Sequence, residues 1–276
     1  MHYTRLKVTC HSAFSEILIA ELAEAGFDSF LETDEGFEAY VENEQFDVHR
    51  FSEIKKKYSH VSPLSFFQDR VARQNWNEAW EKNVDPIIVE DTCLVRAEFH
   101  QIEKKYPYEI IITPKMSFGT GHHQTTHLML KTMMHFDHKN KTVMDAGCGT
   151  AILSIMASKL GAKTIEAFDI DEWSVINGKE NAEINACPNI TIRQGKIAEL
   201  NFKSSFDIVL ANINRNILLD EMQQYAQVLN PLGKLLLSGF YQKDIPALIS
   251  EAEKFNLAEI FRDEREEWAT VLLEKK

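Results

Sequence analysis

The segment from Val143 to Thr150 constrains the fold of this chain more than any other part of the sequence. It reads as a short apolar strand that runs into a turn containing Gly147 and Gly149, and a helical pattern then continues to Gly161. Strand, glycine turn and helix in this order are the nucleotide-binding start of a doubly wound sheet. Glycine suits such a turn because a ligand can approach the backbone without a side chain in its way.

Three positions around the glycine turn narrow the class of ligand. The third glycine of a dinucleotide fingerprint would fall at Ile152, which counts against a pyrophosphate cofactor such as NAD or FAD. Asp145, in the strand before the turn, would repel a diphosphate but suits a ligand that carries an ammonium and a sulfonium. Asp169 ends the next strand at roughly the 20-residue spacing of a carboxylate that accepts both ribose hydroxyls. Helix capping is the alternative for an acid at a strand end, and Asp171 is expected to cap the following helix. Together these residues predict an adenosyl-binding site.

The remaining strands extend this start into a full domain. They are expected at 190–194, 206–214, 234–238, 257–264 and 267–274, with a turn at 230–233. With the first two strands they make seven, and the last two form a hairpin. We therefore predict an α/β domain over residues 85–276 with a Rossmann-like seven-stranded class I methyltransferase fold. Ligands of open α/β sheets lie at the carboxyl ends of the strands, so Asn212 is predicted to meet both the cofactor and the group that is alkylated.

A glycine-rich segment, Phe118 to His123, precedes a helix that we expect to begin near Thr126. Its small polar residues favour a lid over the cofactor, and a plain connection that ends in a helix cap is the alternative. His122 and His123 are the only clustered histidine pair near a motif. No second group of ligands accompanies them, so no metal site is predicted.

The first 72 residues have the pattern of a separate small domain. Leu6 and Val8 alternate with polar residues, which predicts a strand at the start of this domain. The strand-like and helix-like stretches together follow the order β-α-β-β-α-β, which is typical of a ferredoxin-like α+β fold. Gly26 is expected to end the first helix. Residues 73–84 are predicted to form a linker helix, whose Trp76 and Trp80 are expected to pack against the larger domain.

The small domain carries an acidic run with no Lys or Arg. It contains eight carboxylates: Asp28, Glu32, Asp34, Glu35, Glu38, Glu42, Glu44 and Asp47. Such a run is commonly a solvated face, and a docking surface for a basic protein is the alternative. The formal net charge of −12 argues against direct nucleic-acid binding, which needs Lys and Arg against phosphate.

The apolar runs and the cysteines of the sequence predict where the protein acts and whether its thiols are free. No apolar run approaches the roughly 18 residues that a membrane span needs, and no signal-peptide block opens the sequence. We therefore expect a cytoplasmic monomer that makes no membrane contact. The four cysteines contain no C-x-x-C pair, so free thiols are expected.

At these motifs the sequence closely resembles the ribosomal protein L11 methyltransferase family. The matching segments occur in order and at appropriate spacing: Phe118–His122 with Thr125-Thr126, Asp145–Gly149, Asp169–Asp171 and Asn212-Ile213. The acidic front domain and the tryptophan linker also match, so the resemblance covers nearly the whole chain. One departure follows the fourth strand, where the family commonly has Asn-Ile-Leu and this chain has Asn214 as the third residue.

The resemblance implies an enzyme that uses S-adenosyl-L-methionine to methylate amino groups of the basic ribosomal protein L11. The amines would be lysine side chains, the N-terminal α-amine, or both. The predicted cofactor-binding residues are Thr126, Asp145, Gly147, Gly149, Asp169 and Asn212. Asn212 would also be the catalytic residue that holds the amine, and the front domain would be the substrate-recognition domain.

Two other functions are open at this point. A glutamine-amide or nucleic-acid adenine amino methyltransferase would carry Asn-Pro-Pro-Tyr or a close variant after the fourth strand, and residues 212–215 contain no proline. The second alternative is a non-catalytic adenosyl-binding adaptor in ribosome assembly. The presence of both Asp169 and Asn212 argues against an adaptor.

Overall fold

The computed structural model describes residues 2–27, 29–33, 36–43, 46–58, 61, 64–72, 85–113, 124–200, 202 and 205–276. The chain divides into two compact units, Met1–Glu78 and Ala79–Lys276. The linker helix predicted at 73–84, with Trp76 and Trp80, lies outside the described residues.

The front unit is a four-stranded antiparallel sheet with two helices. Its elements are β1 (His2–Cys10), α1 (Ser12–Glu24), β2 (Ser29–Thr33), β3 (Gly36–Glu42), α2 (Val48–Lys57) and β4 (Leu64–Ala72). The strand order is β2-β3-β1-β4, and every neighbouring pair is antiparallel. The order β-α-β-β-α-β along the chain is the one predicted for a ferredoxin-like unit.

One face of this sheet packs against both helices. Leu6 and Val8 of β1 are buried on that face, as the alternating pattern predicted. They share one apolar cluster with Leu18 of α1 and Phe51 of α2. Gly26 follows α1 with a φ of 99°, and this left-handed conformation ends the helix as expected.

The second unit contains the remaining elements. They are β5 (Ile87–Val89), β6 (Cys93–Arg96), β7 (Tyr108–Ile111), α3 (Gln124–Met133), β8 (Thr142–Ala146), α4 (Ile152–Lys159), β9 (Thr164–Asp169), α5 (Glu172–Ile184), β10 (Ile190–Gln194), β11 (Phe206–Asn212), α6 (Arg215–Val228), β12 (Leu229–Tyr241), a short 3-10 helix (Gln242–Asp244), α7 (Ile245–Glu253), β13 (Leu257–Arg265) and β14 (Trp268–Lys275). In the described parts of either unit, no helix is long and apolar enough to cross a membrane.

Seven strands of this unit form one sheet, in the order β10-β9-β8-β11-β12-β14-β13. The strands from β10 to β12 are parallel, whereas β14 runs antiparallel between β12 and β13. The chain moves outward from β8 to β10 and then returns to the other side of β8 with β11. This reversal makes the carboxyl end of β8 a topological switch point, where open α/β sheets bind their ligands.

Alternate residues of the central strands enter two separate cores. On β11, Val209 and Ala211 join the cluster covered by α6 and α7, whereas Ile208 and Leu210 join the cluster covered by α3 and α4. The sheet is therefore buried on both faces, as a doubly wound fold requires. The predicted seven-stranded Rossmann-like class is confirmed.

Three features differ from the expectations. A small sheet of β5, β6 and β7 precedes the large one, and its strands of three or four residues are too short to show a clear alternation. β12 begins at Leu229 instead of 234, although Leu232 within the predicted turn is exposed and has a φ of 62°. α3 begins at Gln124, slightly before Thr126.

Candidate active site

A cavity of about 770 Å³ lies at the carboxyl ends of β8, β9 and β11. Its lining includes four of the predicted cofactor residues, namely Gly147, Gly149, Asp169 and Asn212. These residues come from three separate strand ends, and the strand order brings them together. The other two predicted residues, Thr126 and Asp145, are fully buried next to this lining and do not face the cavity themselves.

The glycine turn after β8 has an unusual backbone. Gly147 and Gly149 have φ values of 65° and 51°, and Ala151 has a φ of 61° although it carries a side chain. A Cβ atom at Gly147 would come within 2.4 Å of Cγ2 of Ile213, so a larger residue would have to displace the Ile213 side chain. The backbone amide of Cys148 donates to the carbonyl oxygen of Phe168 at 3.0 Å and ties the turn to β9.

Asp169 is held by two backbone amides. Its Oδ2 accepts from the amide of Gly149 at 2.9 Å, and its Oδ1 accepts from the amide of Asp171 at 3.0 Å. Each carboxylate oxygen can accept more than one hydrogen bond, so both keep capacity for a ligand. Asp171, not Asp169, caps α5, because its side chain accepts from the amide of Ser174 at 2.9 Å. Asp169 is thus oriented towards the cavity and free of the capping role.

Asp145 is buried behind the turn. Its Oδ2 accepts from the backbone amide of Ser154 at 3.0 Å and from the Ser154 hydroxyl at 2.6 Å, which joins β8 to the start of α4. Burial raises the pKa of this carboxyl to about 7, and the nearby charge of Asp169 adds to the rise. Its Oδ1 has no hydrogen-bond partner among the described residues. A buried carboxyl in this state is one that a positively charged ligand would help to ionise.

Asn212 presents an unpaired acceptor. Its Nδ2 donates to Oγ1 of Thr126 at 3.5 Å, the long end of a hydrogen bond, and its Oδ1 is buried without a partner in the described parts of the chain. Because buried polar atoms are nearly always paired, such an oxygen indicates a missing donor. Thr126 therefore orients the amide of Asn212, and its neighbour Thr125 lines the cavity.

The departure at Asn214 has a structural explanation. Asn214 is the N-cap of α6, and its side chain accepts from the backbone amide of Ile217 at 3.2 Å. Asparagine is among the preferred N-cap residues, whereas leucine cannot accept this bond. The change from the family pattern therefore alters the start of a helix and leaves Asn212 in place.

Other lining residues were not predicted. Trp268, at the start of β14, stacks on Tyr241 with ring centroids 4.3 Å apart. Gly239 of β12 also lines the cavity, and a Cβ atom there would meet the carbonyl oxygen of Ile213 at 2.2 Å. The strand-end position of Gly239 was a signal that could have been used. Trp268 follows a turn between two hairpin strands and has no such local signal.

The lining of the cavity also includes charged groups. They are Asp220 and Glu221 of α6 and Lys196. The Glu221 carboxylate accepts a hydrogen bond from the buried Tyr225 hydroxyl, and burial raises the pKa of Glu221. Two acidic residues and one lysine make this part of the lining acidic, which favours a cationic ligand or a cationic group of the substrate.

Two predicted features cannot be placed. The glycine-rich segment with Phe118, His122 and His123 lies outside the described residues, so its role as a lid stays a prediction. Among the residues that are described, no group of three or more His, Cys, Asp or Glu side chains could hold a metal ion.

Comparison with known proteins gives a consistent result. The family model described as ribosomal protein L11 methyltransferase (PrmA) matches residues 3–276. A ribosomal protein L11 methyltransferase of Bacteroides fragilis is 41% identical over 264 residues, which cover 95% of this chain and 94% of the relative. One of Porphyromonas gingivalis is 42% identical over 267 residues, which cover 96% of this chain and 92% of the relative.

A solved structure also aligns with the chain. The crystal structure of ribosomal protein L11 methylase from Lactobacillus delbrueckii subsp. bulgaricus superimposes with a TM-score of 0.64 and 28% sequence identity. The alignment covers 70% of this chain and 100% of that one.

Proposed function

The chain belongs to the ribosomal protein L11 methyltransferase family, and from this premise we propose that it transfers methyl groups from S-adenosyl-L-methionine to amino groups of ribosomal protein L11. The amines are lysine side chains, the N-terminal α-amine, or both. The observation that carries the proposal is that Gly147, Asp169 and Asn212 line one cavity.

The residues around the cavity fit the proposed cofactor. Asp169 can accept both ribose hydroxyls, because two backbone amides already hold its carboxylate in position. The bare backbone of Gly147 and Gly149 gives the ligand close access to the turn. Asp145, buried behind the turn, places a carboxyl near a ligand that carries positive charge. When bound, this cofactor supplies an electrophilic methyl group on its sulfonium.

The chain's own contribution to the chemistry is the positioning of a neutral amine. A lysine of pKa about 10.4 must lose its proton first, which costs roughly 4 kcal/mol near pH 7.5, whereas an α-amine of pKa about 7.7–8.0 costs far less. Asn212 lines the cavity, and its side-chain or backbone oxygen can accept a hydrogen bond from the amine and align the lone pair of the amine for in-line attack. We assign no general base, and the proton is lost to water before the amine enters.

The rival activities fit the site less well. Enzymes that methylate a planar amide or an adenine amino group grip it with Asn-Pro-Pro-Tyr, and here the residue after Ile213 is the helix cap Asn214. A non-catalytic adaptor would have no use for the unpaired oxygen of Asn212 beside the cofactor residues. The charge of −12 counts against an RNA substrate.

The front unit is proposed to recognise the substrate. Its acidic run has the charge to attract a basic ribosomal protein. Two of the run's members have other tasks. Glu38 contacts Arg5 and Lys7 at 3.7 Å and 3.2 Å, and the Asp47 side chain caps α2. The side chains of the other six carboxylates lie outside the described residues, and their charge in the sequence is the reason for proposing them as the docking surface. Because its substrate is a ribosomal protein, the enzyme is proposed to act in the cytoplasm, and as a monomer.

Methyl transfer can be measured directly with the full chain, labelled S-adenosyl-L-methionine and purified ribosomal protein L11. We expect label in the protein, located by mass spectrometry on lysine or N-terminal amines. Asn212→Ala should lower kcat on the order of 100-fold, the loss typical of a misplaced reacting group. Asn216→Ala, an exposed asparagine near the same strand end, is the matched control and should retain activity.

Three outcomes contradict parts of the proposal. Binding of S-adenosylhomocysteine without any turnover would favour the adaptor. Label in glutamine or nucleic acid would favour the rival methyltransferases. Full activity of Asn212→Ala would remove Asn212 from catalysis.

A further inference from the structure

Asn177 and Asn181 lie one helical turn apart on α5, and Asn185 follows one turn later as the C-cap residue of this helix. Asn177 and Asn181 are buried, and Asn185 is half-buried. None was singled out by the sequence, because asparagine has no special place inside a helix. A polar side chain in such a position is stable only when its donors and acceptor are paired. The Nδ2 of Asn177 has no partner among the described residues, whereas Asn181 and Asn185 each bond to backbone groups on both sides of their amides.

Asn181 joins two backbone segments that are far apart in the chain. Its Nδ2 donates to the carbonyl oxygen of Thr150 at 3.0 Å, and its Oδ1 accepts from the amide of Thr113 at 2.9 Å. Thr150 lies within the glycine turn, and Thr113 is the residue at which the described chain ends before the glycine-rich segment. Asn181 is completely buried, so water cannot replace either bond.

Asn185 makes a similar pair of bonds one turn later, but to another place. Its Oδ1 accepts from the amide of Ile111 at 2.9 Å, and its Nδ2 donates to the carbonyl oxygen of Ile111 at 2.6 Å. It therefore holds the open edge of β7 as a neighbouring strand would. Asn185 does not contact the glycine turn, and it does not line the cavity.

The glycine turn needs external support. Three of its residues, Gly147, Gly149 and Ala151, have left-handed φ values, and for Ala151 this conformation is strained. Strained backbone persists only when its surroundings hold it. The bond from Asn181 to Thr150 acts between Gly149 and Ala151, and the amide of Gly149 in turn orients Asp169.

We propose that Asn181 is a positioning residue for the cofactor site. By fixing the carbonyl of Thr150, it holds the turn in the conformation that aims the amide of Gly149 at Asp169. Asp169 then faces the ribose in the correct orientation. The inference rests on the proposed function, since it assumes that the cavity takes an adenosyl ligand.

The test uses one substitution at two positions. Asn181→Asp keeps the acceptor for Thr113, but an ionised carboxylate can donate neither to the carbonyl of Thr150 nor to Oδ1 of Asn177, which lies 3.4 Å from the Asn181 amide nitrogen. Asn185→Asp makes the same chemical change one turn later, away from the cofactor turn. Binding of S-adenosylhomocysteine to the full chain is measured by calorimetry at pH 8.5 and pH 5.5, with the wild-type chain at each pH as reference.

At pH 8.5 we expect Asn181→Asp to weaken binding about tenfold, which is the net worth of one hydrogen bond. The affinity of Asn185→Asp for S-adenosylhomocysteine should stay within about twofold of the wild-type value. This holds even if its melting temperature falls as far as that of Asn181→Asp. At pH 5.5 a protonated carboxyl restores the donor to Thr150, so the affinity of Asn181→Asp should return towards the wild-type value.

Because a carboxylate at the buried position 181 also destabilises the fold at pH 8.5, the melting temperature of each variant is measured at both pH values, and binding is compared at a temperature at which every chain is folded. If Asn181→Asp binds as tightly as the wild-type chain at both pH values, or if Asn185→Asp weakens binding equally, the inference is overturned. A loss for Asn181→Asp that pH 5.5 does not relieve would also overturn it. If the wild-type chain itself binds no S-adenosylhomocysteine, the proposed function is wrong, and the inference, which rests on it, is overturned as well.

Discussion

At the scale of single residues, Asp169 is the group on which cofactor affinity should depend most. It faces the cavity, and the backbone amides of Gly149 and Asp171 hold its carboxylate. Asp169→Ala should weaken binding of S-adenosylhomocysteine by roughly 2–3 kcal/mol, because hydrogen bonds to charged groups are each worth about 1.5–3 kcal/mol. Calorimetric titration measures the change, and Glu172→Ala, an exposed acid nearby, is the control. Unchanged affinity would remove Asp169 from the site.

The buried carboxyl of Asp145 should make the stability of the folded chain depend on pH. Burial raises its pKa in the folded chain from the usual 3.8 to about 7, so the folded state binds the proton more tightly than the unfolded state does. Its contribution to stability is then complete below pH 3.8, is lost as the pH rises to about 7, and changes no further above that. Asp145→Asn cannot ionise and should not show this loss.

Urea denaturation of the wild-type chain and of Asp145→Asn between pH 4 and pH 8 measures the effect. The free energy of unfolding of the wild-type chain should fall relative to that of the variant up to about pH 7. A difference that stays constant over the whole range would show that the buried carboxyl has no raised pKa.

At the scale of the elements, the start of α6 shows how a departure from the family pattern is accommodated. Asn214 caps this helix through the amide of Ile217. Asn214→Leu, which restores the common family residue, should lower the free energy of unfolding by about 1 kcal/mol because the cap is lost. Asn214→Ser keeps a capping oxygen and should retain most of the stability.

Asn216→Leu, in the same turn of α6, is the matched control for that measurement. It has no capping role, so its effect on the free energy of unfolding should be small. Equal losses for Asn214→Leu and Asn216→Leu in urea denaturation would show that exposed leucine, rather than the lost cap, causes the change.

At the scale of the whole molecule, the acidic run should govern substrate capture. Charge reversal of Glu32 and Glu35 to lysine should raise KM for ribosomal protein L11, and more strongly at low salt, where screening is weak. Glu38 is left unchanged because Arg5 and Lys7 contact it, and its reversal would disturb the sheet.

Steady-state kinetics at two salt concentrations tests whether the acidic run binds the substrate or is only a solvated face. The affinity for S-adenosylhomocysteine serves as the internal control, since every predicted cofactor residue lies in the other unit. Wild-type KM at low salt in the charge-reversed chain would show that the acidic run is only a solvated face.

The local structure and the class of fold could be predicted from the amino-acid sequence alone. The alternation in Leu6 and Val8 predicted β1, Gly26 marked the end of α1, and Asp171 was recognised as the cap of α5. These features were predictable because backbone conformation and hydrophobic period are properties of neighbouring residues. Five of the predicted cofactor residues, Asp145, Gly147, Gly149, Asp169 and Asn212, were predicted from their places at or just after strand ends, whereas Thr126 on α3 was predicted from the family resemblance.

The distant residues that support the site could be identified only from the packing of the folded chain. Asn181 reaches Thr150 and Thr113 because α5 packs against both, and Trp268 lines the cavity because β14 inserts beside β12. The burial of Asp145 likewise results from tertiary packing. Such contacts depend on strand order and helix packing, which bring together residues that have no local signature in the chain.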